Sequence, residues 1–245
     1  MDAEQPSIEA LTSFIEETVT RLRDREEFQV KREQANEFLL LFGACARTIR
    51  YADAYLTLAR TGFSSEGVPL ARAALEHAVT AQWVYILKDG VDRFRVDTAH
   101  GHKEHYDNLA QWLKNDELAA EVAKMPPLPT GTRMPPFMAL LRELDKDKFL
   151  ESSYHILSQQ VHVSHSTVFS FLEYADDGYH VKYDQQNPYE YQTVYVMAVS
   201  CMLARWVIAK LTDDNADLTH LDAESDELIL PMTLEDEVPV DKRRS

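Results

Sequence analysis

The chain has 245 residues, of which 45% are hydrophobic and 27% are charged, and its formal net charge is −16 at pH 7. This length and this ordinary composition allow one well-buried core. Because a large negative field repels phosphate backbones at long range, the charge argues against a general nucleic-acid binder.

The first half of the chain has the apolar spacing of amphipathic helices. Ser7 can cap a first helix whose apolar residues recur every three or four positions. The pattern then predicts helices over 30–60, 65–87 and 91–123, and the last of these is expected to break near Gly101. With only 7 glycines in the whole chain, long segments are free of helix breakers.

A proline-rich segment interrupts this pattern. Five of the 10 prolines lie within residues 125–136, and no helix tolerates that density, so a loop is predicted there. Helix is predicted to resume over 137–144 and 149–162. Residues 164–174 are also predicted to be helical, and residues 178–187 to be extended.

The most apolar part of the chain is a long predicted helix from Pro188 to Leu211. Proline suits the first position of a helix, because its missing N–H would have no partner there. The length approaches that of a membrane span. Since Ser200 and Arg205 lie in the middle of the apolar run, we interpret it as a buried core helix.

The C-terminal segment, residues 213–245, is predicted to be an acidic and partly disordered tail. It holds eleven acidic and three basic residues, so its net charge of −8 is half of the total. One apolar cluster, 228–234, is expected to dock onto the body. The fold class predicted for residues 1–212 is therefore all-α, a single bundle of about six to eight helices with the loop at 125–136.

Several further patterns exclude particular classes of protein. The two cysteines, Cys45 and Cys201, lie in helical patterns and predict neither a disulfide framework nor a zinc finger. Residues 1–15 lack the apolar region of a signal peptide, so we expect a cytoplasmic protein without a membrane span. The sequence has no glycine-rich phosphate loop and no nucleophile elbow, and no cofactor is predicted.

The third predicted helix carries a polar stripe on an otherwise apolar surface. Arg72, Glu76 and Thr80 are spaced by four and share one side of the helix. A buried arginine and a buried glutamate must be paired. Two interpretations remain open: an ion pair that stabilises the core, or a pair that faces a pocket.

A second stripe follows on a later helix. Tyr154, Ser158 and His162 are again spaced by four, and His165 would join them if the helix continued. Two hydroxyls and an imidazole on one stripe suit a proton-transfer chain. They equally suit a hydrogen-bond network that holds two helices in register.

Together the two stripes resemble a known family. Arg72-x3-Glu76, followed by Tyr154-x2-Leu157-Ser158-x3-His162, resembles a bacterial helical family that is described only as a domain of unknown function. The resemblance covers about residues 70–172. It implies a helical fold and marks these residues, but it implies no activity.

A more distant resemblance is to the HEPN superfamily, helical-bundle proteins that are often toxin or defence ribonucleases. Its signature, Arg and His separated by four to six residues, has four matches: Arg72–His77, Arg93–His100, Arg95–His100 and Arg95–His102. Arg72 and His77 diverge by about 140° around a helix, so His162 or His165 would be the better partner for Arg72. The resemblance implies a metal-independent ribonuclease, with Arg72 stabilising the phosphate and His162 as general acid or base.

A histidine cluster offers a metal alternative. His102 and His105 are three residues apart on a predicted helix, with His100 close before them. No ExxH or HExxH pattern completes a ligand set, so a solvated helix surface is the simpler interpretation.

The sequence therefore supports three hypotheses. The leading one is a helical interaction or regulatory module that binds a basic protein partner through its acidic tail. Exposed apolar faces on the N-terminal helices also predict a homodimer. The alternatives are the ribonuclease, with RNA as its substrate, and a metal-binding bundle.

Overall fold

The computed structural model describes residues 5–176, 178–181 and 187–244, and it confirms the all-α class. The described residues form ten α-helices, more than the six to eight predicted, and one β-hairpin. In chain order these are α1 (Ile8–Asp24), α2 (Ala35–Arg60), α3 (Val68–Ile86), α4 (Gly90–Leu113), α5 (Asp116–Ala123), α6 (Phe137–Leu144), α7 (Phe149–Val161), α8 (His165–Phe169), β1 (Leu172–Ala175), β2 (Gly178–Val181), α9 (Glu190–Leu211) and α10 (Asn215–Leu228).

The centre of the bundle is the pair α3 and α9, which pack against each other and against α2. Both helices are apolar on nearly every side, and Trp83 of α3 and Met197 of α9 are fully buried. A helix without a polar face is stable only when it is surrounded by others. Helices α1, α7 and α10 supply the outer layer.

Helix α9 is long and apolar enough to cross a membrane, and it is the only such helix among the described residues. In the structure, 89% of its most apolar window is buried inside the protein. This burial is what the core helix of a soluble protein shows, as the interruptions at Ser200 and Arg205 predicted.

Two predicted boundaries were wrong. The helix expected over 91–123 breaks at Lys114 rather than at Gly101, because Lys114 takes a left-handed C-terminal conformation with φ of 51°. Asn115 then caps α5 by accepting a hydrogen bond from the Leu118 N–H at 3.0 Å. Gly101 lies within α4, where an exposed glycine lowers helix stability without ending the helix.

The second wrong boundary concerns residues 164–174. Only residues 165–169 are helical there, and the chain then enters the antiparallel hairpin β1–β2, in which Leu172 pairs with Val181. The extended structure predicted over 178–187 is present in β2, while residues 182–186 of that prediction lie outside the described residues.

The acidic C-terminal segment differs from the partly disordered tail that was expected. Asp214 caps α10, and Leu221 and Leu228 bury one side of that helix. The segment after α10 buries further apolar side chains in the core, namely Leu230, Leu234 and Val238. Asp222, Asp226 and Glu227 of α10 are exposed, whereas Asp217 turns inward and pairs with Arg205.

Gln82 fastens this segment to the core of the bundle. Its side chain is fully buried on α3, donates to the Leu203 carbonyl of α9 at 3.0 Å and accepts from the Leu234 N–H at 3.2 Å. Every polar atom of a buried amide needs such a partner, so this contact fixes the position of the chain after α10.

Candidate functional site

The two predicted polar stripes meet in a network between α3 and α7. Arg72 Nη2 donates to the Tyr154 hydroxyl at 2.7 Å, and that hydroxyl donates to Glu76 Oε1 at 2.8 Å. Arg72 Nη2 also lies 3.2 Å from Glu76 Oε1, so the three groups form a closed triangle. We call Arg72, Glu76 and Tyr154 the α3–α7 network.

The α3–α7 network is partly buried and is in contact with the aromatic ring of Phe137. The Arg72 guanidinium lies 4.9 Å from the centre of the Tyr154 ring, which itself packs against Phe137. The side chains of Arg72 and Glu76 are 23% and 36% exposed, and Arg72 Nε is buried without a partner among the described residues. Within the described residues, Arg72 Nη2 is thus shared between Tyr154 and Glu76.

The protonation state of Tyr154 follows from the same surroundings. Burial raises the pKa of its hydroxyl, the bond from Arg72 lowers it in part, and the bond to Glu76 raises it again, with a net shift upward. At neutral pH the phenol therefore keeps its proton and acts as a hydrogen-bond donor. This arrangement suits a structural link better than a general base.

Ser158, His162 and His165 do not join the α3–α7 network. The Ser158 hydroxyl donates to the Tyr154 carbonyl at 2.7 Å, one turn back on α7. Helix α7 ends at Val161, and His162 is its C-cap residue with an extended backbone conformation. The His162 ring is exposed and makes no hydrogen bond to the described residues. The exposed His165 ring packs on Phe169 within α8, with ring centres 4.5 Å apart.

The predicted histidine cluster lies on the exposed surface of α4. The rings of His102 and His105 both pack edge-on against Tyr106, and His100 Nε2 lies 3.4 Å from the Pro129 carbonyl. Among the described residues, these histidines do not form a group of three close metal-binding side chains. Metal binding here stays a prediction.

A surface that the sequence did not single out follows α7. Seven of the fourteen exposed large hydrophobic side chains of the described residues lie between 163 and 181, in α8, in the hairpin and directly beside them. They are Val163, Val168, Phe169, Phe171, Leu172, Tyr174 and Val181. We call this surface the apolar lobe. On the hairpin, Leu172, Tyr174 and Val181 share one face because of the strand register.

A second cluster that sequence reasoning missed joins α1, α9 and α10. Arg205 is only 4% exposed, donates to Thr18 Oγ1 at 3.2 Å and pairs with Asp217 at 2.6 Å. Glu17 lies beside it and accepts from Arg21 at 2.8 Å. These residues line a cavity of about 690 Å³ between the three helices. Their positions are far apart in the sequence, so no local spacing reveals the cluster.

Comparison with known proteins identifies the family but no activity. Residues 38–180 match the model of the family of unknown function DUF5677, which is more than half of the chain, so the protein belongs to that family. No curated protein and no solved structure matches the chain. The matched region contains the α3–α7 network and the apolar lobe up to Tyr174, but neither Val181 nor the helices α1 and α10. The comparisons show no likeness to HEPN proteins.

Proposed function

We propose that this member of the DUF5677 family is a non-enzymatic helical module that binds a basic protein partner through its apolar lobe. The observation that carries the proposal is the concentration of exposed apolar side chains in one short segment. Val163 is 94% exposed and Val181 is 79% exposed. A concentration of exposed apolar side chains in one segment is typical of an interaction surface, whereas single exposed apolar residues are ordinary.

The α3–α7 network has a structural role in this proposal. It links α7 to the buried helix α3, and the apolar lobe begins where α7 ends. Because the network fixes the direction of α7, it also fixes where the lobe leaves the bundle. The ribonuclease hypothesis instead needs His162 close to Arg72, and no hydrogen bond joins those two residues in the described structure.

The chemistry of the partner follows from charge. The chain carries a net charge of −16, and the exposed Asp176 lies at the turn of the hairpin within the lobe. An acidic surface steers a positively charged partner toward it and repels an acidic one. The fitting partner is therefore a protein segment with lysine or arginine around apolar anchors.

The lobe is tested by a variant that keeps the shape of its side chains. Replacing Val163, Val168 and Val181 together by Thr should weaken partner binding at least about tenfold, because each buried hydroxyl without a partner costs roughly 1–3 kcal/mol. The measurement is affinity capture from cells of the source species, followed by titration of the purified partner. A control replaces two exposed residues outside the lobe, Leu39→Gln and Trp112→Gln, which lie on α2 and α4.

The proposal fixes the outcome of that titration. The captured partner should be basic, its affinity should fall as salt rises from about 50 to 500 mM, and only the lobe variant should lose it. An acidic partner, or equal loss in the control, contradicts the proposal. A dimer that dissociates in the lobe variant would show instead that the lobe binds a second copy of the chain.

The role of the network predicts a stability effect for Tyr154→Phe. This change removes two hydrogen bonds to charged groups and leaves the direct contact of Arg72 with Glu76. Since the site is partly exposed, we expect the free energy of unfolding to fall by about 1–2 kcal/mol in urea denaturation. Tyr106→Phe is the matched control, because the Tyr106 hydroxyl has no hydrogen bond within the described residues. Equal stability of the two variants would contradict a structural role.

A further inference from the structure

Three metal-binding side chains converge where α1 meets α10. Glu17 of α1, and His220 and Glu224 of α10, place one ligand atom each within 4.8 Å of one another. His220 and Glu224 are four residues apart and therefore lie on the same side of α10. All three side chains are partly buried, with exposed fractions of 33% for His220 and 23% for Glu224.

We propose that Glu17, His220 and Glu224 bind a divalent transition-metal ion, with Zn²⁺ as the best-fitting ion. One imidazole and two carboxylates are ligands that zinc accepts, and three protein ligands leave a fourth position for water. Adjacent ligand atoms around tetrahedral zinc lie about 3.4 Å apart. The distances from His220 Nε2 to Glu17 Oε1 and to Glu224 Oε1 are 2.8 and 3.8 Å, which bracket that separation.

The charges around the three ligands bear on this site. Arg21 donates to Glu17 Oε1 at 2.8 Å, and Arg205 Nη1 lies 3.7 Å from the same oxygen. Glu17, Glu224 and Asp217 carry −3, and the guanidinium groups of Arg21 and Arg205 carry +2. With neutral His220 the net charge is therefore −1, and a cation is attracted. A carboxylate has about four lone-pair positions, so Glu17 can bind the ion and still accept from Arg21. The arginine then orients the ligand, as outer hydrogen bonds do in metal sites.

Binding at this site would have a structural consequence. The three ligands join α1 to α10. Both helices lie outside the region that matches the family model, residues 38–180. A bound ion would fasten the acidic helix α10 to α1, in a role that does not depend on whether the apolar lobe binds a partner.

The test is calorimetric titration of the full chain with Zn²⁺ alone, after removal of any affinity tag and treatment with a chelator. We expect one ion per chain. His220→Gln and Glu224→Gln should each weaken binding at least about tenfold, since loss of even an outer-shell partner costs 10–100-fold. Gln at 220 keeps a hydrogen-bond donor for Glu17, and thermal melts without metal should show that both variants are folded.

A matched control and a spectrum separate this site from adventitious binding. His155→Gln removes an exposed histidine from α7 and should leave the zinc affinity unchanged. With Co²⁺ in place of Zn²⁺, the full chain should give the intense visible absorption of a four-coordinate ion, and His220→Gln should lose it. Absence of a one-to-one complex, unchanged affinity in the folded His220→Gln variant, or equal loss in His155→Gln would each overturn the proposal.

Discussion

Replacing Arg205 by Met is expected to lower the free energy of unfolding by about 3 kcal/mol, because it leaves Asp217 without its closest cation in the protein interior. Arg205 is 4% exposed, and the Asp217 side chain is 12% exposed at 2.6 Å from it. The fully buried Thr18 hydroxyl loses its donor as well. Arg21 still lies 3.2 Å from Asp217. The expected loss of stability is therefore near the lower end of the range for broken buried ion pairs.

A double variant separates the ion pair from lost packing. Arg205→Met with Asp217→Asn removes both charges while keeping the two shapes nearly unchanged. It should be more stable than the sum of the two single effects implies, with a coupling energy of about 1–3 kcal/mol. Urea denaturation of all four proteins measures this. Strict additivity would mean that the two residues do not interact energetically, which contradicts the geometry of the pair.

The sequence could predict the half of the α3–α7 network that lies within one helix. Arg72 and Glu76 are four residues apart, so the helical period alone places them together. The contact of Arg72 with Tyr154 spans 82 positions and depends on how α3 and α7 pack. A repeated spacing of four indicates which residues share a stripe, but it does not indicate which stripes face each other.

His162 shows why a stripe alone is an insufficient guide. Its spacing from Ser158 places it on the stripe only if α7 continues. Ser164 instead caps a new helix: its hydroxyl accepts from the Thr167 N–H, and the Thr167 hydroxyl accepts from the Ser164 N–H. A serine followed three residues later by a hydrogen-bonding side chain is a helix-start signal. A helix start at Ser164 requires the preceding helix to end before it. This signal therefore predicts that the stripe on α7 stops near His162 and does not reach His165.

The charge of the C-terminal segment led to a wrong prediction of partial disorder. Leu221 and Leu228 are seven residues apart, which is the spacing of one side of a helix, and Asp214 is a good cap. The eleven acidic residues of the segment nevertheless give it the composition of a disordered tail. Charged residues indicate which side of a segment faces solvent, whereas a few leucines at helical spacing are enough to pack the other side on the core. Composition alone therefore overestimates disorder.

The largest effect of a single methyl group is expected for Gly90→Ala, at the start of α4. A Cβ atom there would lie 2.4 Å from the Val84 carbonyl oxygen and 2.9 Å from the Val84 carbonyl carbon. These are backbone atoms of a buried helix, so no change of rotamer relieves the overlap and the corner between α3 and α4 must shift. We expect the free energy of unfolding to fall by about 3 kcal/mol or more.

The same helix provides the matched control, with an effect of opposite sign. A Cβ atom at Gly101 meets nothing within 4 Å, and Gly101 is exposed in the interior of α4. Gly101→Ala should therefore raise the free energy of unfolding by about 0.5–1 kcal/mol, because alanine loses less backbone freedom in a helix. Denaturation of both variants tests the corner and the continuity of α4 together. If Gly101→Ala were destabilising, the helix would bend there after all, and if Gly90→Ala were tolerated, α3 and α4 would not meet as closely as the structure requires.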